Sequence, residues 1–330
     1  MTTDHLETTG MASQFSKDIS LYREKSQRNI YRTAESFTKK ELIAEIGVFL
    51  LITFGLMLIF GWKACPELNE ETAITGLDMV FYYIFTFSPA IGCIVTRYIF
   101  HEGFRDDILF PKFTGNFKGY FLSVLIPILF GVLNCIFITI VLGAGFTVKA
   151  EGGALEAIAS FSLYSMMTYT SAFILIGEEL GWRAFLYDKI EKLTGLHGSI
   201  IIGGIIWGLW HIPPLITMGL NFGKEAPGFP FTNILLMCVF CIFGGAMLQM
   251  LRKMTDSVIA PLIAHAVIDT ICNSIAVMFL SEEIVEGKNF QMGLCMVASS
   301  IIIGIPCWIY MAVVKHSESS SIIIKSKTRK

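Results

Sequence analysis

Charge is scarce in this sequence. Only 16% of its 330 residues are charged and the formal net charge is −2, whereas soluble domains carry about 25% charged residues. A chain of this balance has no basic face with which to bind nucleic acid. Hydrophobic residues make up 54%, which excludes a disordered chain and a soluble enzyme. We therefore expect no nucleic-acid partner.

A disulfide framework is also lacking. The chain has eight cysteines, and all except Cys65 lie in apolar runs, where cysteine usually behaves as a small buried hydrophobe. Cys238 and Cys241 form a C-x-x-C pair. Because this pair lies inside a continuous apolar helix, we interpret it as structural and not as a redox or metal site.

Long apolar runs are abundant, and the mean hydropathy is +0.63. A membrane-spanning helix needs about 20 mostly apolar residues. On this basis the sequence predicts eight spans, at Leu42–Trp62, Leu77–Phe100, Tyr120–Phe146, Met166–Ile190, Gly198–Leu220, Phe231–Leu251, Ser257–Leu280 and Phe290–Val314. One helix over residues 155–190 would be about 54 Å long, too long for one bilayer, so we place a short interfacial helix at residues 155–165. The predicted fold class is all-α, a polytopic membrane helix bundle of about eight transmembrane helices.

Lysine and arginine predict the orientation of the bundle. With the N-terminus inside, 20 of the 25 basic residues fall in inner segments and four fall outside, and Arg183 lies within a span. Inner segments of membrane proteins carry such an excess, so we expect both termini to be cytosolic. The predicted organisation is a basic cytosolic arm at residues 1–41, a transmembrane domain at 42–314 with a motif core at 166–280, and a basic tail at 315–330.

Ionisable residues inside spans are costly in lipid and are candidates for function. Glu45 and Asp78 lie at span ends, from which we expect them to reach the membrane interface. Six others lie deeper, on the fourth, fifth and seventh spans: Glu178, Glu179, Arg183, His211, His265 and Asp269. Counted from the inner ends at 1.5 Å per residue, Glu178, His211 and Asp269 are all roughly 18–20 Å deep. Side chains at one depth on three helices are predicted to converge on one site.

The two glutamates of the fourth span have different surroundings on their own helix. Glu179 and Arg183 are four residues apart with the acid first, which lets them neutralise each other. Glu178 is turned about 100° away and is predicted to have no partner on its own helix. An unpaired acid in a membrane is suited to proton transfer. The alternative is that both glutamates brace Arg183.

His211 is marked by the two prolines that follow it, Pro213 and Pro214. Proline lacks a backbone donor and disfavours helix at the residue before it, so the fifth span is predicted to break just past His211. The break frees backbone carbonyls and favours polar surroundings. Trp207 lies one turn before His211, on the same face.

A polar stripe runs along the seventh span, where His265, Asp269 and Asn273 are spaced by four residues. Hydrogen bonding between helices is the alternative explanation, above all for Asn273. Small residues four apart, Gly204 with Gly208 and Ala260 with Ala264, are typical of closely packed membrane helices.

At these residues the sequence resembles the CAAX-protease and bacteriocin-processing family of intramembrane endopeptidases, also called CPBP or Abi, which includes the type II CAAX prenyl endopeptidases. The family motifs are E-E-x-x-x-R, an aromatic residue four before a histidine, and H-x-x-x-N/D. In this chain they read E-E-L-G-W-R at Glu178–Arg183, W-G-L-W-H at Trp207–His211 and H-A-V-I-D at His265–Asp269. Trp207 stands where phenylalanine is more usual, and Asp269 stands where the prenyl proteases usually have asparagine. The resemblance covers residues 166–280.

The resemblance implies a catalytic site. Glu178, helped by His211, would activate a water that attacks a peptide carbonyl, and His265 and Asp269 would bind the oxyanion that develops. Glu179 and Arg183 would support this machinery. We expect no cofactor. The alternative is a zinc ion held by Glu178, His211 and His265.

The function expected from the resemblance is hydrolysis of a peptide bond in a membrane-associated or lipidated peptide or protein. Its partners would be membrane lipid and that substrate. We expect it to be a multi-pass integral membrane protein of a bacterial plasma membrane. Two other classes stay open. One is a non-catalytic immunity or regulatory protein that binds a peptide or sensor partner. The other is a proton-coupled transporter, although no internal repeat supports it.

Overall fold

The computed structural model describes residues 37–64, 76–104, 110–143, 163, 171–272 and 287–327, and every regular element in these ranges is helical. The helices are α1 (Lys39–Ala64), α2 (Gly76–Thr86), α3 (Ser88–Ile99), α4 (Phe117–Leu142), α5 (Ser171–Trp210), α6 (Ile212–Thr217), α7 (Phe231–Thr255), α8 (Ile259–Val267) and α9 (Asn289–Lys327). Four predicted features lie wholly or partly outside the described residues: positions 1–36 of the predicted arm at 1–41, the interfacial helix apart from Leu163, Asn273 and the end of the seventh span.

Membrane-spanning length is reached by five of the described helical stretches: α1, α4, α5, α7 and the Asn289–Val314 part of α9. Helices α2 and α3 add a sixth span if they are taken together, with a bend of 53° between them. Pro89 stands in the first turn of α3, where its missing N–H leaves no intrahelical bond unmade. The polytopic helical class is confirmed, while the count of eight spans and the cytosolic termini stay predictions.

The predicted fourth and fifth spans form one run of helix, α5, that folds back on itself. Gly195 inside this run has φ 80° and ψ 179°, a conformation that glycine adopts without steric cost. Two arms, residues 171–194 and 196–210, meet on either side of this break. Tyr187 of the first arm packs on Gly203 of the second, eight residues before and after Gly195. The 40 residues of α5 are therefore an antiparallel hairpin and not one long helix.

The chain leaves regular α-helix at three places near the predicted site residues. A π-helical turn occupies Trp182–Leu186 in the first arm of α5, and a second follows α8 at Ile268–Cys272. Helix α5 ends at Trp210, and α6 begins at Ile212 with the two prolines in its first turn. The predicted break at His211 is confirmed. Insertions of this kind in helices often accompany functional sites.

Glycines let the hairpin approach its neighbours closely. The second arm of α5 packs on α7, where a Cβ at Gly204 would stand 2.5 Å from the Cα of Ile242 and one at Gly208 would stand 2.6 Å from the Cα of Cys238. In the first arm, Gly177 and Gly181 likewise allow close packing, against Phe87 and Pro89 at the bend between α2 and α3. The pattern Gly204-x-x-x-Gly208 is confirmed as a packing face. Cys238 and Cys241 are buried free thiols, consistent with a structural role.

Glu45 corrects one expectation, because it does not reach the interface. Its side chain is fully buried in α1 and its Oε2 accepts a bond of 2.8 Å from Lys189 Nζ. Lys189 also binds Glu102 Oε2 at 3.0 Å, and Glu102 Oε1 lies 3.5 Å from Arg97 Nη1. We call these four residues the inner charge cluster. It ties α1 and α3 to the first arm of α5, and a buried group of two acids and two bases is neutral as a whole.

The glycine face of the hairpin makes a prediction for stability. Gly204→Ala places a methyl group against the backbone of α7, which cannot move aside as a flexible side chain can, and overpacking of this kind typically costs about 1–3 kcal/mol. We expect a clear drop in the melting temperature of the purified protein in detergent. Gly55→Ala is the matched control, because a Cβ there meets nothing within 4 Å, and an unchanged Gly204→Ala protein would contradict the packing argument.

Candidate active site

Trp207, on the second arm of α5, contacts four of the six predicted site residues. Its Nε1–H donates to Glu178 Oε2 at 2.8 Å, and its ring lies 4.0 Å below the guanidinium carbon of Arg183. The edge-on ring of His265 has its centroid 5.4 Å away. Such a cation over an indole is attractive, and most so away from water. The hairpin thus places the first and second motifs face to face.

Glu178 is buried and is held by two indoles. Besides Trp207, Trp182 on the same helix donates from Nε1 to Glu178 Oε2 at 3.4 Å. The prediction that Glu178 has no partner on its own helix is therefore wrong, because Trp182 lies one turn further on. Both donors are neutral indole N–H groups. They orient the carboxyl group of Glu178 without adding a charge beside it.

Glu179 joins two of the three motifs. Its Oε1 accepts a bond of 3.0 Å from Arg183 Nη1, as the spacing predicts. The same oxygen lies 2.8 Å from His265 Nδ1. All three side chains are buried. Arg183 is thus paired by Glu179 and covered by Trp207, and Glu178 does not brace it through any hydrogen bond in the described residues.

His211 has its tautomer fixed by the backbone. Its Nδ1 lies 2.9 Å from the carbonyl oxygen of Trp207, and a carbonyl only accepts hydrogen bonds. Nδ1 must therefore carry the proton, which leaves Nε2 of the neutral ring with its lone pair. The ring of Trp210 meets His211 edge-on at 5.0 Å. His211 is half-buried, so a small molecule can reach it.

His265 is oriented by Glu179 in the same way, because an ionised carboxylate only accepts hydrogen bonds and Nδ1 therefore carries the proton that it donates to Glu179 Oε1. Its Nε2 lies 3.9 Å from Asp269 Oδ2, longer than a hydrogen bond. Asp269 is in the second π-helical turn, and 46% of its side chain is exposed. The third motif therefore contributes one enclosed imidazole and one accessible carboxyl group.

Helices α2 and α3 support the wall beside His211. The rings of Phe85 and Trp210 are stacked, with centroids 4.4 Å apart and planes 6° from parallel. Trp210 Nε1 donates to Ser88 Oγ at 3.0 Å. The sequence pattern did not reveal these contacts or the bond between Trp207 and Glu178. The available signal was that a buried indole N–H needs an acceptor, and three indoles lie within the first two motifs.

A zinc site is the alternative to a metal-free site, and the described residues contain no preformed set of ligands for it. Within them, no three His, Cys, Asp or Glu side chains are grouped so that they could hold a metal ion. The Nδ1 atoms of His211 and His265 contact a carbonyl and a carboxylate, so only Nε2 of each ring could bind a metal. Glu178 Oε2 is turned to the indoles of Trp182 and Trp207. We therefore derive no step through a metal.

These features describe an α-helical, multi-pass membrane protein with a buried acid and histidine site. Residues 160–271, about a third of the chain, match the family described as type II CAAX prenyl endopeptidase Rce1-like. A stretch of 36 residues is 44% identical to CAAX prenyl protease 2 of Methanococcus maripaludis and covers 11% of this chain and 13% of that protein. The resemblance to the type II CAAX prenyl endopeptidases is thus confirmed for the segment that carries the three motifs.

The shared oxygen of Glu179 makes a prediction about stability. Arg183→Leu leaves Glu179 buried without its cation, and breaking a buried pair costs about 3–5 kcal/mol in soluble proteins. We expect a marked fall in the melting temperature in detergent. Glu179→Gln in the same chain should restore much of it, because Gln removes the charge and keeps an acceptor for His265. Wild-type stability of the single variant would disprove the pairing.

Proposed function

We propose that the chain is an intramembrane endopeptidase that hydrolyses a peptide bond of a membrane-associated or lipidated peptide or protein. The observation that carries this proposal is that Glu178 and His211 are each oriented by a hydrogen bond to the same residue, Trp207. The match of residues 160–271 to CAAX prenyl endopeptidases supports the same reaction.

In the proposed reaction a water molecule stands between the Glu178 carboxylate and Nε2 of His211. Glu178 takes a proton from this water as it attacks the peptide carbonyl, and later delivers the proton to the leaving amine. His211 accepts the second hydrogen bond of the water at Nε2. The water is thereby oriented before the attack, which lowers the entropic part of the barrier.

His265 is proposed to face the oxyanion of the tetrahedral intermediate with its Nε2. Donation requires a proton on both ring nitrogens, and Glu179 on Nδ1 stabilises that cationic form. Asp269 Oδ2 lies 3.9 Å from this Nε2, so an ionised Asp269 would stabilise the cationic ring by charge without a hydrogen bond. If Asp269 instead contacts the substrate as a donor, it must be protonated.

The substrate would approach from the lipid or its surface. The half-buried His211 and the exposed Asp269 mark the open side of the site, while Glu179 and Arg183 form its closed side. The name of the archaeal relative points to a prenylated C-terminal peptide as the first substrate to test. A bacterial host would instead supply a pheromone or bacteriocin precursor, and a bacterial plasma membrane is the location that we propose.

A cleavage assay tests the catalytic pair. The probe is a quenched fluorescent peptide that ends in a farnesylated cysteine followed by three residues, offered to purified protein in lipid nanodiscs beside its unprenylated twin. Glu178→Gln and His211→Ala should each lower kcat by about 10²–10⁴-fold, the range of general acid–base catalysis. Both proteins should still insert in the membrane. Glu225→Gln, in the loop after α6, is the control and should cleave normally.

Two outcomes would reject this scheme. Substantial cleavage by Glu178→Gln would remove the proposed base. Binding of both peptides by the wild-type protein, with cleavage of neither, would instead support the non-catalytic immunity or regulatory role. This outcome is measured directly by binding of a labelled peptide. Equal binding to wild type and to Glu178→Gln, without cleavage by either, would support the non-catalytic role.

Metal dependence and Asp269 are tested together. In the metal-free scheme, strong chelators leave cleavage unchanged and active protein holds substoichiometric zinc. Asp269→Asn should retain activity, because the amide donates to an oxyanion without needing a proton. Loss of activity on chelation, recovery with zinc and a metal-poor Asp269→Asn protein would together show that the histidines are ligands whose orientation Asp269 controls.

A further inference from the structure

Arg97, on α3, reaches the helix that carries the first motif although it lies outside the segment that matches the protease family. Its side chain is buried. Nη2 donates to the backbone carbonyl oxygen of Ala184 at 3.1 Å, and Nη1 donates to the carbonyl oxygen of Gly103 at 2.8 Å. Ala184 is in the π-helical turn Trp182–Leu186, directly after Arg183.

A π-helical turn sets the direction in which the residues before it point. Tyr187 N–H bonds to the carbonyl oxygen of Trp182, five residues back, whereas an α-helix bonds four back. The extra residue rotates the part of α5 before the turn by about 100° relative to the part after it. Glu178 and Glu179 are before the turn, and Lys189 is after it.

Contacts fix α5 on both sides of this turn. After it, Lys189 is held in the inner charge cluster by Glu45 and Glu102. Before it, Glu178 is bonded to Trp207, and Glu179 lies beside His265. Both sets of contacts can be satisfied at once only if the rotation between them is kept. Arg97 belongs to the inner charge cluster, and its side chain also bonds to the π-helical turn at Ala184.

We propose that Arg97 is a positioning residue: by bonding to the carbonyl oxygen of Ala184 it holds the π-helical turn and thereby directs Glu178 towards Trp207 and His211. This inference rests on the proposed endopeptidase activity for its kinetic consequences. It extends the functional unit from the hairpin to α3. The competing explanation is that Arg97 only neutralises Glu102 and contributes stability.

Two variants separate these explanations. Arg97→Lys keeps a positive charge near Glu102, but an ammonium group lacks the planar fork that serves two carbonyls at once. Glu45→Gln disturbs the same cluster without touching the turn. We expect Arg97→Lys to lower kcat at least tenfold with KM within twofold of wild type, and to shift the pH profile of kcat/KM. Glu45→Gln should lower the melting temperature comparably and leave kcat and the pH profile unchanged.

A measurement that needs no catalysis accompanies the kinetics. The ¹⁵N-labelled indole N–H of Trp207 gives an NMR resonance that reports its bond to Glu178, and we expect this resonance to move in Arg97→Lys and to stay in Glu45→Gln. If the wild-type protein cleaves none of the peptides, the proposed function fails, and the resonance alone then decides whether Arg97 positions Glu178.

Should Arg97→Lys fail to fold, the double variant Arg97→Met, Glu102→Gln removes the pair without leaving an unpaired charge, since Lys189 keeps Glu45. The same loss of kcat and the same movement of the indole resonance are expected. Wild-type kcat and resonance in a folded Arg97 variant would overturn the proposal. Equal losses of kcat in Glu45→Gln and Arg97→Lys, in step with their melting temperatures, would overturn it too, in favour of a purely structural cluster.

Discussion

The hydrogen bond from the Trp207 indole to Glu178 is the interaction on which the site depends. A carboxyl group inside a membrane needs a donor, and a buried indole N–H needs an acceptor. Each therefore satisfies the other across the hairpin of α5. The same residue covers Arg183 with its ring and orients His211 with its carbonyl oxygen. One side chain and its peptide group thus connect an acid and a cation of the first motif with a base of the second.

Charge neutrality explains how the rest of the bundle tolerates so many ionisable groups. Arg183 is paired with Glu179, and the inner charge cluster balances two acids with two bases. Pairs of this kind contribute little net stability compared with apolar packing, but each member becomes strongly destabilising when its partner is lost. Their main effect is therefore on which helices pack together, and their contribution to the net stability of the bundle is small.

The sequence predicted the features that depend on local pattern. Apolar runs indicated a polytopic helical fold, the prolines placed the break at His211, and the four-residue spacing paired Glu179 with Arg183. The features that it did not predict depend on contacts between distant segments. Glu45 was expected at the interface because it is near a span end. Instead it is buried and paired with Lys189, which is 144 residues away in sequence. The π-helical turns have no signature in composition or spacing. The direction in which Glu178 and Glu179 point from α5 therefore could not be predicted from the sequence.

The left-handed break at Gly195 has a consequence for the biogenesis of the protein. Because it joins two short arms into a hairpin, the residues of the first two motifs are close in sequence as well as in space, and their contacts require little loop-closure entropy. The hairpin can enter the bilayer as one unit, with Glu178 already shielded by Trp207 and Arg183 by Glu179 before the later helices arrive. Glu178, which would oppose insertion on a lone helix, is thereby carried into lipid with its hydrogen bond to Trp207 already formed, and His265 then only has to dock against Glu179.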